Sequence, residues 1–263
     1  MRRMRAGLDR DSREPRRHFS KGRGYPLRRR HLLDPLRAGS YIAACVAVVA
    51  CRGRPAPLIP EPLAPIPAES VPAWVGRNGP PRATALRFRW RYRDNRRSGG
   101  GRGTARVAPP DSLRVDWAAV LGLKSGAAVV LGDSLQWADP KDNFTSSVPA
   151  AVELVWTALG VTRPAREGVT VFGMRDSVRI QWRYVEREDT VDFVLTAAPA
   201  RTLQAEWRRA ARVMARSRTE LGPGGLPTSA RIDVPERSAR FEVTFVGVDT
   251  AATFDPALWR SRR

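Results

Sequence analysis

The sequence predicts a mainly β chain. It reads as one large antiparallel sheet that curls into an incomplete barrel, with one or a few covering helices. Three observations predict it. From Thr84 onward the apolar residues recur with period two, as in Leu86-Arg87-Phe88-Arg89-Trp90-Arg91-Tyr92-Arg93, where every second side chain is apolar and the rest are Arg. Roughly a dozen such segments are separated by short turns, more than a flat open sheet tolerates without curling or closing. Only one stretch, Pro149–Gly160, breaks the period convincingly in favour of a helix, and no repeat of about 20–50 residues suggests a stacked array.

The elements follow in order. After the first strand, Ser98 to Gly103 reads SGGGRG, a glycine run expected as a hairpin loop. It has no strand–loop–helix context and no Gly-Lys-Ser/Thr, so it is a poor phosphate cradle. Strands are expected near Thr104–Ala108, Leu113–Trp117, Ala127–Leu131 and Ser134–Ala138, with Gly132-Asp133 as the tight turn between the last two. In the helical stretch Val152, Val155, Trp156 and Leu159 share a face, Pro149 suits the first turn and Gly160 a stop. Strands resume at Val169–Met174, Val178–Tyr184, Val191–Thr196, Thr202–Trp207, Val213–Thr219, Ser229–Val234 and Arg240–Val246.

Composition narrows the chemistry. The chain has 263 residues, 2 Cys and 2 His. Cys45, Cys51, His18 and His31 all precede residue 52, so the region beyond can host no Ser-His-Asp or Cys-His group, no His- or Cys-ligated metal and no disulfide. The formal net charge of +20 needs discounting: 13 of the 46 basic and 4 of the 26 acidic residues lie in 1–50, and only three of the basic residues are Lys. An Arg-rich, Lys-poor chain reflects coding bias, and net charge speaks to solubility rather than fold. Along Leu86–Arg93 the aromatic and Arg side chains point to opposite faces, so they cannot form one base-stacking platform. No nucleic-acid partner is expected.

The N-terminal region reads as an export signal. Arg37 closes a basic stretch, and Tyr41 to Ala50 is an uncharged apolar run ending in small residues and Cys51. Ten residues make about 15 Å of helix, half of a ~30 Å hydrocarbon core, so the run is too short for a permanent span. Residues 1–36 are Arg-rich and lack apolar periodicity. They are read as a mis-assigned or disordered extension, with the start expected downstream near Leu32 or Leu36. Residues 52–82 hold nine prolines and read as an extended, semi-rigid tether, in which Glu69–Val75 is expected as a short helix. The domain plan is therefore 1–36 extension, 37–50 signal, 51–82 Cys and Pro-rich tether, and 83–263 the folded domain.

Several stretches resemble a known family. Val48-Val49-Ala50-Cys51 resembles the bacterial lipoprotein box. Gly132-Asp133-Ser134-Leu135-Gln136-Trp137-Ala138-Asp139-Pro140, Gly225-Leu226-Pro227, Ala239 to Phe245 and the closing Phe254-Asp255-Pro256-Ala257-Leu258-Trp259 are similar to marks of the periplasmic lipoprotein carrier and outer-membrane lipoprotein receptor (LolA/LolB-like) superfamily, over about residues 83–260. The resemblance implies an incomplete barrel of about eleven strands around an apolar cavity, and a ligand of acyl chains or another apolar group. It also implies cleavage before Cys51 and acylation of its thiol and amine. Arg52, rather than Asp, follows that cysteine, which by the same resemblance implies the periplasmic face of the outer membrane. A monomer with membrane and lipid partners, no cofactor and no catalytic residue is expected.

On this reading the cavity candidates on the early strands are Phe88, Trp90, Trp117 and Trp137. Those on the later strands are Trp182, Phe193 and Trp207, with Phe241 and Phe245 on the last. Ala118-Ala119-Val120-Leu121-Gly122-Leu123 is apolar where a turn should be polar. In the receptor branch such a loop touches the membrane, so Val120, Leu121 and Leu123 are its candidates. Two other readings compete. An enzyme would need paired carboxylates from Asp139, Asp142, Asp176, Glu186, Glu188 and Asp189, but these sit in hydrophilic turn-like segments. A structural lipoprotein would share the fold and have a filled core. If the lipoprotein box operates, Cys51→Ser abolishes the acylated mature chain. Intact mass of the membrane fraction checks this, and an unchanged processed mass refutes it.

Overall fold

The alternating segments become strands in the computed structural model, which describes residues 56–60, 62–75, 80, 82–120, 124–132, 134–139 and 152–260. The strands are β1 (Ala64–Pro65), β2 (Thr84–Arg93), β3 (Ser98–Ala108), β4 (Ser112–Ala119), β5 (Ser125–Leu131), β6 (Ser134–Asp139) and β7 (Thr170–Arg175). They continue with β8 (Arg179–Glu186), β9 (Asp189–Thr196), β10 (Thr202–Arg209), β11 (Arg212–Leu221), β12 (Pro227–Val234) and β13 (Ala239–Asp249). Two short α-helices are described, α1 (Val71–Val75) and α2 (Val152–Ala158). All twelve strands read from the sequence are present. The thirteenth, β1, comes from the Pro-rich segment, so the sheet exceeds the expected eleven or so.

The strands form one antiparallel sheet in the order β1-β7-β8-β9-β10-β11-β12-β13-β2-β3-β4-β5-β6. Apart from the two-residue β1, neighbours in space are neighbours in sequence, except where β13 pairs β2 and joins the last strand to the first long one. The sheet is not closed, and β1 and β6 are its edges. The long connection from β6 to β7 carries α2, which packs on the inner face.

Alternation sets the faces. On β2, Leu86 and Phe88 are buried on the inner face, whereas Arg87, Arg89, Arg91 and Arg93 are exposed on the outer. The inner face holds two clusters. One centres on Trp182, Phe193 and Leu203, and the other on Leu86, Leu113 and Trp156. Helix α2 lies between them. Leu154 enters the first cluster, while Trp156, Ala158 and Leu159 enter the second. Val152 and Val155 also pack on the second cluster, so the face read from the sequence is real. The opposite face is buried too. A seven-residue helix would not persist alone in water; its stability comes from packing and from specific anchors. Thr219 Oγ1 donates to Thr157 O (2.8 Å) and Trp156 Nε1 to Gly132 O (3.2 Å). Buried Arg163 lies 3.3 Å from Glu153, and Gly160, at φ +75°, ends the helical stretch.

The glycine run is a correction. Ser98–Gly103 is not a hairpin loop but the first half of β3, and the turn lies earlier, at residues 94–97. Gly99, Gly101 and Gly103 pair with Tyr92, Trp90 and Phe88. A Cβ on Gly103 would lie 2.5 Å from the Phe88 ring and 2.6 Å from Asp116 O, and one on Gly101 only 1.9 Å from Ala118 O. Aromatic rings and a neighbouring backbone occupy the space that side chains would need, so glycine here serves packing rather than turning.

The tether needs the same revision. The described part of 56–75 packs on the sheet: Ile59, Val71 and Val75 are buried and Ile66 packs on the first cluster. Pro65 sits in edge strand β1, paired with β7, a position where a missing N–H is tolerated. The expected short helix over Glu69–Val75 is present as a 3₁₀ turn, Ala68–Ser70, running into α1. On the outer face, Asp192 and Glu206 are fully buried and opposite each other, clamped by Arg183, Arg208 and Arg216. Leu58 N donates to Glu206 (3.3 Å) and Arg216 to Ala56 O. Small apolar anchors spaced among prolines make this segment part of the domain. Residues 1–55, including the signal stretch and Cys51, lie outside the described residues.

Gly101→Ala is expected to destabilise the fold by about 1–3 kcal/mol, because a methyl group there must displace backbone. Urea denaturation checks this, and an unchanged midpoint would contradict the packing role.

Candidate functional site

The inner face is unevenly filled. In the first cluster, Trp182 and Phe193 stack at 5.0 Å and 6°. Tyr184 packs edge-on to Phe193 (5.1 Å) and donates to Arg163 O (2.8 Å). Burial pushes its hydroxyl far above the usual phenol range. Toward the second cluster, the inner faces of β2, β4 and β10–β13 and helix α2 border a half-open cavity of about 760 Å³. That lies within the ~300–1,000 Å³ of ordinary ligand pockets.

Aromatic rings make up much of its wall. Trp90 is stacked on Phe241 (6.0 Å, 21°) and edge-on to Trp117 (6.0 Å, 88°). Phe88 meets Phe245 edge-on at 6.2 Å. Helix α2 contributes Val155 and Ala158, and Leu159 follows directly after it. The pairings arise from register: Trp90 lies opposite Val243, and Phe88 opposite Phe245, across the β13–β2 seam. Offset and edge-on pairs of this kind hold rings in fixed positions.

The sequence candidates divide. Phe88, Trp90, Trp117, Trp207, Phe241 and Phe245 line the cavity. Trp182, Phe193 and Trp137 are not among the described residues that line it. Trp182 and Phe193 belong to the solid half, where β8 and β9 face α1 and Leu154. Trp137 is turned to the outer face by a β-bulge. On β6, Leu135 pairs with Val130 but Trp137 with the adjacent Val129, so period two is broken between them. Leu135 packs inward, whereas Trp137 lies under the Arg114 guanidinium, 5.3 Å from its ring centre.

Of the apolar loop, Ala118 and Ala119 belong to β4, Val120 is 65% exposed, and Leu121 and Leu123 lie outside the described residues. The described carboxylates weighed for enzyme chemistry sit at strand ends and turns. Asp176 caps its turn by accepting from Val178 N (2.7 Å) and Arg179 N (2.6 Å). Glu186 pairs with Arg166 (2.8 Å) and Asp189 with Arg209 (3.0 Å). Hydrogen bonding from Arg209 holds the Asp189 carboxyl below its ordinary value. Asp142 lies outside the described residues.

Sequence reasoning missed the cavity's polar mouth. Arg97, Lys124, Arg209, Arg237 and Arg240 border it, with Glu236 as an acidic neighbour. They stand at or beside hairpin turns, and the one available signal was that the hairpins at this end of the sheet carry Arg or Lys. Asp94 shapes the first of these turns. It accepts from Arg96 N and Arg97 N, each at 2.6 Å, and from the Tyr92 hydroxyl at 2.6 Å. The Tyr92 hydrogen bond, followed by the two backbone bonds, lowers its carboxyl below the ordinary value. Among the described residues no cluster of three His, Cys, Asp or Glu could hold a metal, and no helix is long and apolar enough to cross a membrane.

Several solved structures are similar. A LolA superfamily protein from Nitrosomonas europaea superposes with a TM-score of 0.50 at 13% identity, over 73% of this chain and 97% of that one. An outer-membrane lipoprotein-sorting protein domain from Vibrio parahaemolyticus gives 0.48 at 8% identity, over 73% and 98%. A DUF1329 family protein from Desulfovibrio piger gives 0.40 at 9%, over 68% and 90%. At such identity the first supports the fold alone, and the weaker two carry no further argument. No family model matches the chain, and no curated protein does.

Because its folded-state value is depressed, Asp94 stabilises the mouth turn above its unfolded pKa of about 3.9 and loses that effect as pH falls through the lower folded value. The amide shifts of Arg96 and Arg97 are therefore expected to titrate with a midpoint below about 3.9. A midpoint above that value would contradict the bonding described.

Proposed function

We propose that this chain is an envelope lipoprotein whose sheet binds acyl chains or another apolar ligand in the half-open space beside α2. The observation that carries the reading is the 760 Å³ cavity, walled by Trp90, Trp117, Phe241 and Phe245. Each methylene buried there contributes about 0.8 kcal/mol, so chains bind without any charged contact in the interior. The similarity in fold to a LolA superfamily protein supports the reading.

In this account residues 37–50 direct export, and Cys51 carries the acyl groups that hold the protein at the periplasmic face of the outer membrane. More than one chain on the anchor is needed for stable attachment. Exposed Val120 stands at the mouth, and with Leu121 and Leu123 it supplies the membrane-contacting loop. Transfer is non-covalent: apolar groups enter the cavity, are shielded from water and leave at the membrane. The domain acts as a monomer, and no residue makes or breaks a bond.

Uptake of the apolar fluorophore 1-N-phenylnaphthylamine tests it. The full chain is expected to enhance the fluorescence saturably, and Val115→Trp, which fills the cavity from β4, to weaken uptake by about tenfold or more. No enhancement by the wild-type chain, or equal uptake by both, would favour a structural lipoprotein whose inner face takes no ligand.

A further inference from the structure

We propose that the ligand is an anionic amphiphile, with its chains in the cavity and a phosphate-type headgroup in an arginine-lined recess at the mouth. This rests on the lipid-binding reading of the cavity. The recess, about 430 Å³, adjoins the end of β2 and is lined by Arg91, Arg93 and Arg240, with Glu242 as its one carboxylate. Tyr92, Ser98, Gly99, Gly100 and Arg240 border both the recess and the cavity. The two spaces therefore meet along the β2–β3 hairpin.

The hairpin explains how opposite faces come to share one ligand. Within a strand, Tyr92 belongs to the inner face and Arg91 and Arg93 to the outer. Opposite them on β3 stand Gly99, Gly100 and Ser98, which raise almost no side-chain wall. A Cβ on Gly99 would meet nothing within 4 Å. The barrier between apolar interior and cationic exterior is thus little more than a glycine backbone, which an amphiphile can straddle.

The recess arginines differ in their surroundings, and Arg91 lies across from Glu242 in the β13–β2 pair. Arg240 is bridged to Asp233 (2.8 Å) and lies 4.0 Å from Glu242. Arg91 and Arg93 make no salt bridge among the described residues, and both are exposed. Arg93 faces Arg240 directly across the β13–β2 pair. Like charges so placed destabilise a sheet, and an anion between them turns repulsion into charge-assisted hydrogen bonds. Guanidinium groups suit phosphate oxygens because their paired N–H donors match them. Arg97 and Lys124 at the cavity mouth add to the same field.

The test compares two ligands with identical chains, dihexanoyl phosphatidate and dihexanoylglycerol, as displacers of 1-N-phenylnaphthylamine from the full chain. The phosphatidate is expected to displace the fluorophore at about tenfold lower concentration, with the preference shrinking as salt rises. Arg91→Gln/Arg93→Gln is expected to bring the two within about twofold while leaving dihexanoylglycerol unchanged. Equal displacement by both ligands, or a preference that survives the double variant, overturns the headgroup proposal and leaves the cavity reading standing. Inorganic phosphate at matched concentration is expected not to displace bound phosphatidate. If it does, the recess is a free-anion site and the proposal falls. A chain that takes up no fluorophore overturns the cavity reading, and this proposal with it.

Discussion

Helix α2 is pinned across the inner face of the sheet, and the distribution of filled and empty space depends on that contact. A thirteen-stranded sheet that stays open cannot cover its own concave side. The covering element must come from a connection, and here it is the segment between β6 and β7. Leu154 and Trp156, both almost completely buried, point into different clusters. The helix therefore divides the inner face instead of capping it. On one side α1 and the Trp182–Phe193 stack complete a solid core. On the other the rings of β2, β4 and β13 face α2 across a gap, and that gap is the candidate site.

Glycines make room for rings on the strands beside them. Phe88 lies over Gly103 and Trp117 over Gly126, where a Cβ would come within 2.7 Å of the ring in each case. Removing side chains from one strand lets large rings on the next lie over it without steric conflict. The outer face is organised by charge. The buried pair Asp192 and Glu206 is tolerable only because three arginines and the backbone of Leu58 satisfy it. That requirement also fastens the Pro-rich segment to the sheet, so the chain preceding β2 is structural for at least part of its length.

These features give the domain a polarity along its strands. The end beside Thr219 and Gly132 is closed by α2 and its hydrogen bonds. The other end carries hairpins with Arg97, Lys124, Arg209 and Arg237 around an apolar interior. An apolar interior behind a cationic mouth suits a molecule that is itself divided into chains and a charged head. Of the carboxylates weighed for enzyme chemistry, Asp176 caps its turn, and Glu186 and Asp189 pair with arginine.

The sequence by itself determined the strands, because period-two alternation is a local consequence of backbone pleating. Each of the twelve segments it marked is a strand, and the single helical interruption is α2. It also placed Phe88, Trp90, Trp117, Trp207, Phe241 and Phe245 on the face that turned out to line the cavity. Tertiary structure decided the rest, and the failures share a cause: pairing partners are not encoded locally. Ser98–Gly103 looks like a loop until Phe88 and Trp90 are placed opposite its glycines. Trp137 shares a face with Leu135 by alternation, and only the bulge against Val129 and Val130 turns it outward. Pro-rich 56–75 looks like a spacer until the β7 edge and the Glu206 carboxylate claim it. Whether an inward-facing ring meets another ring or an empty volume depends on where α2 lies across strands far apart in the chain, and no local pattern specifies that distance.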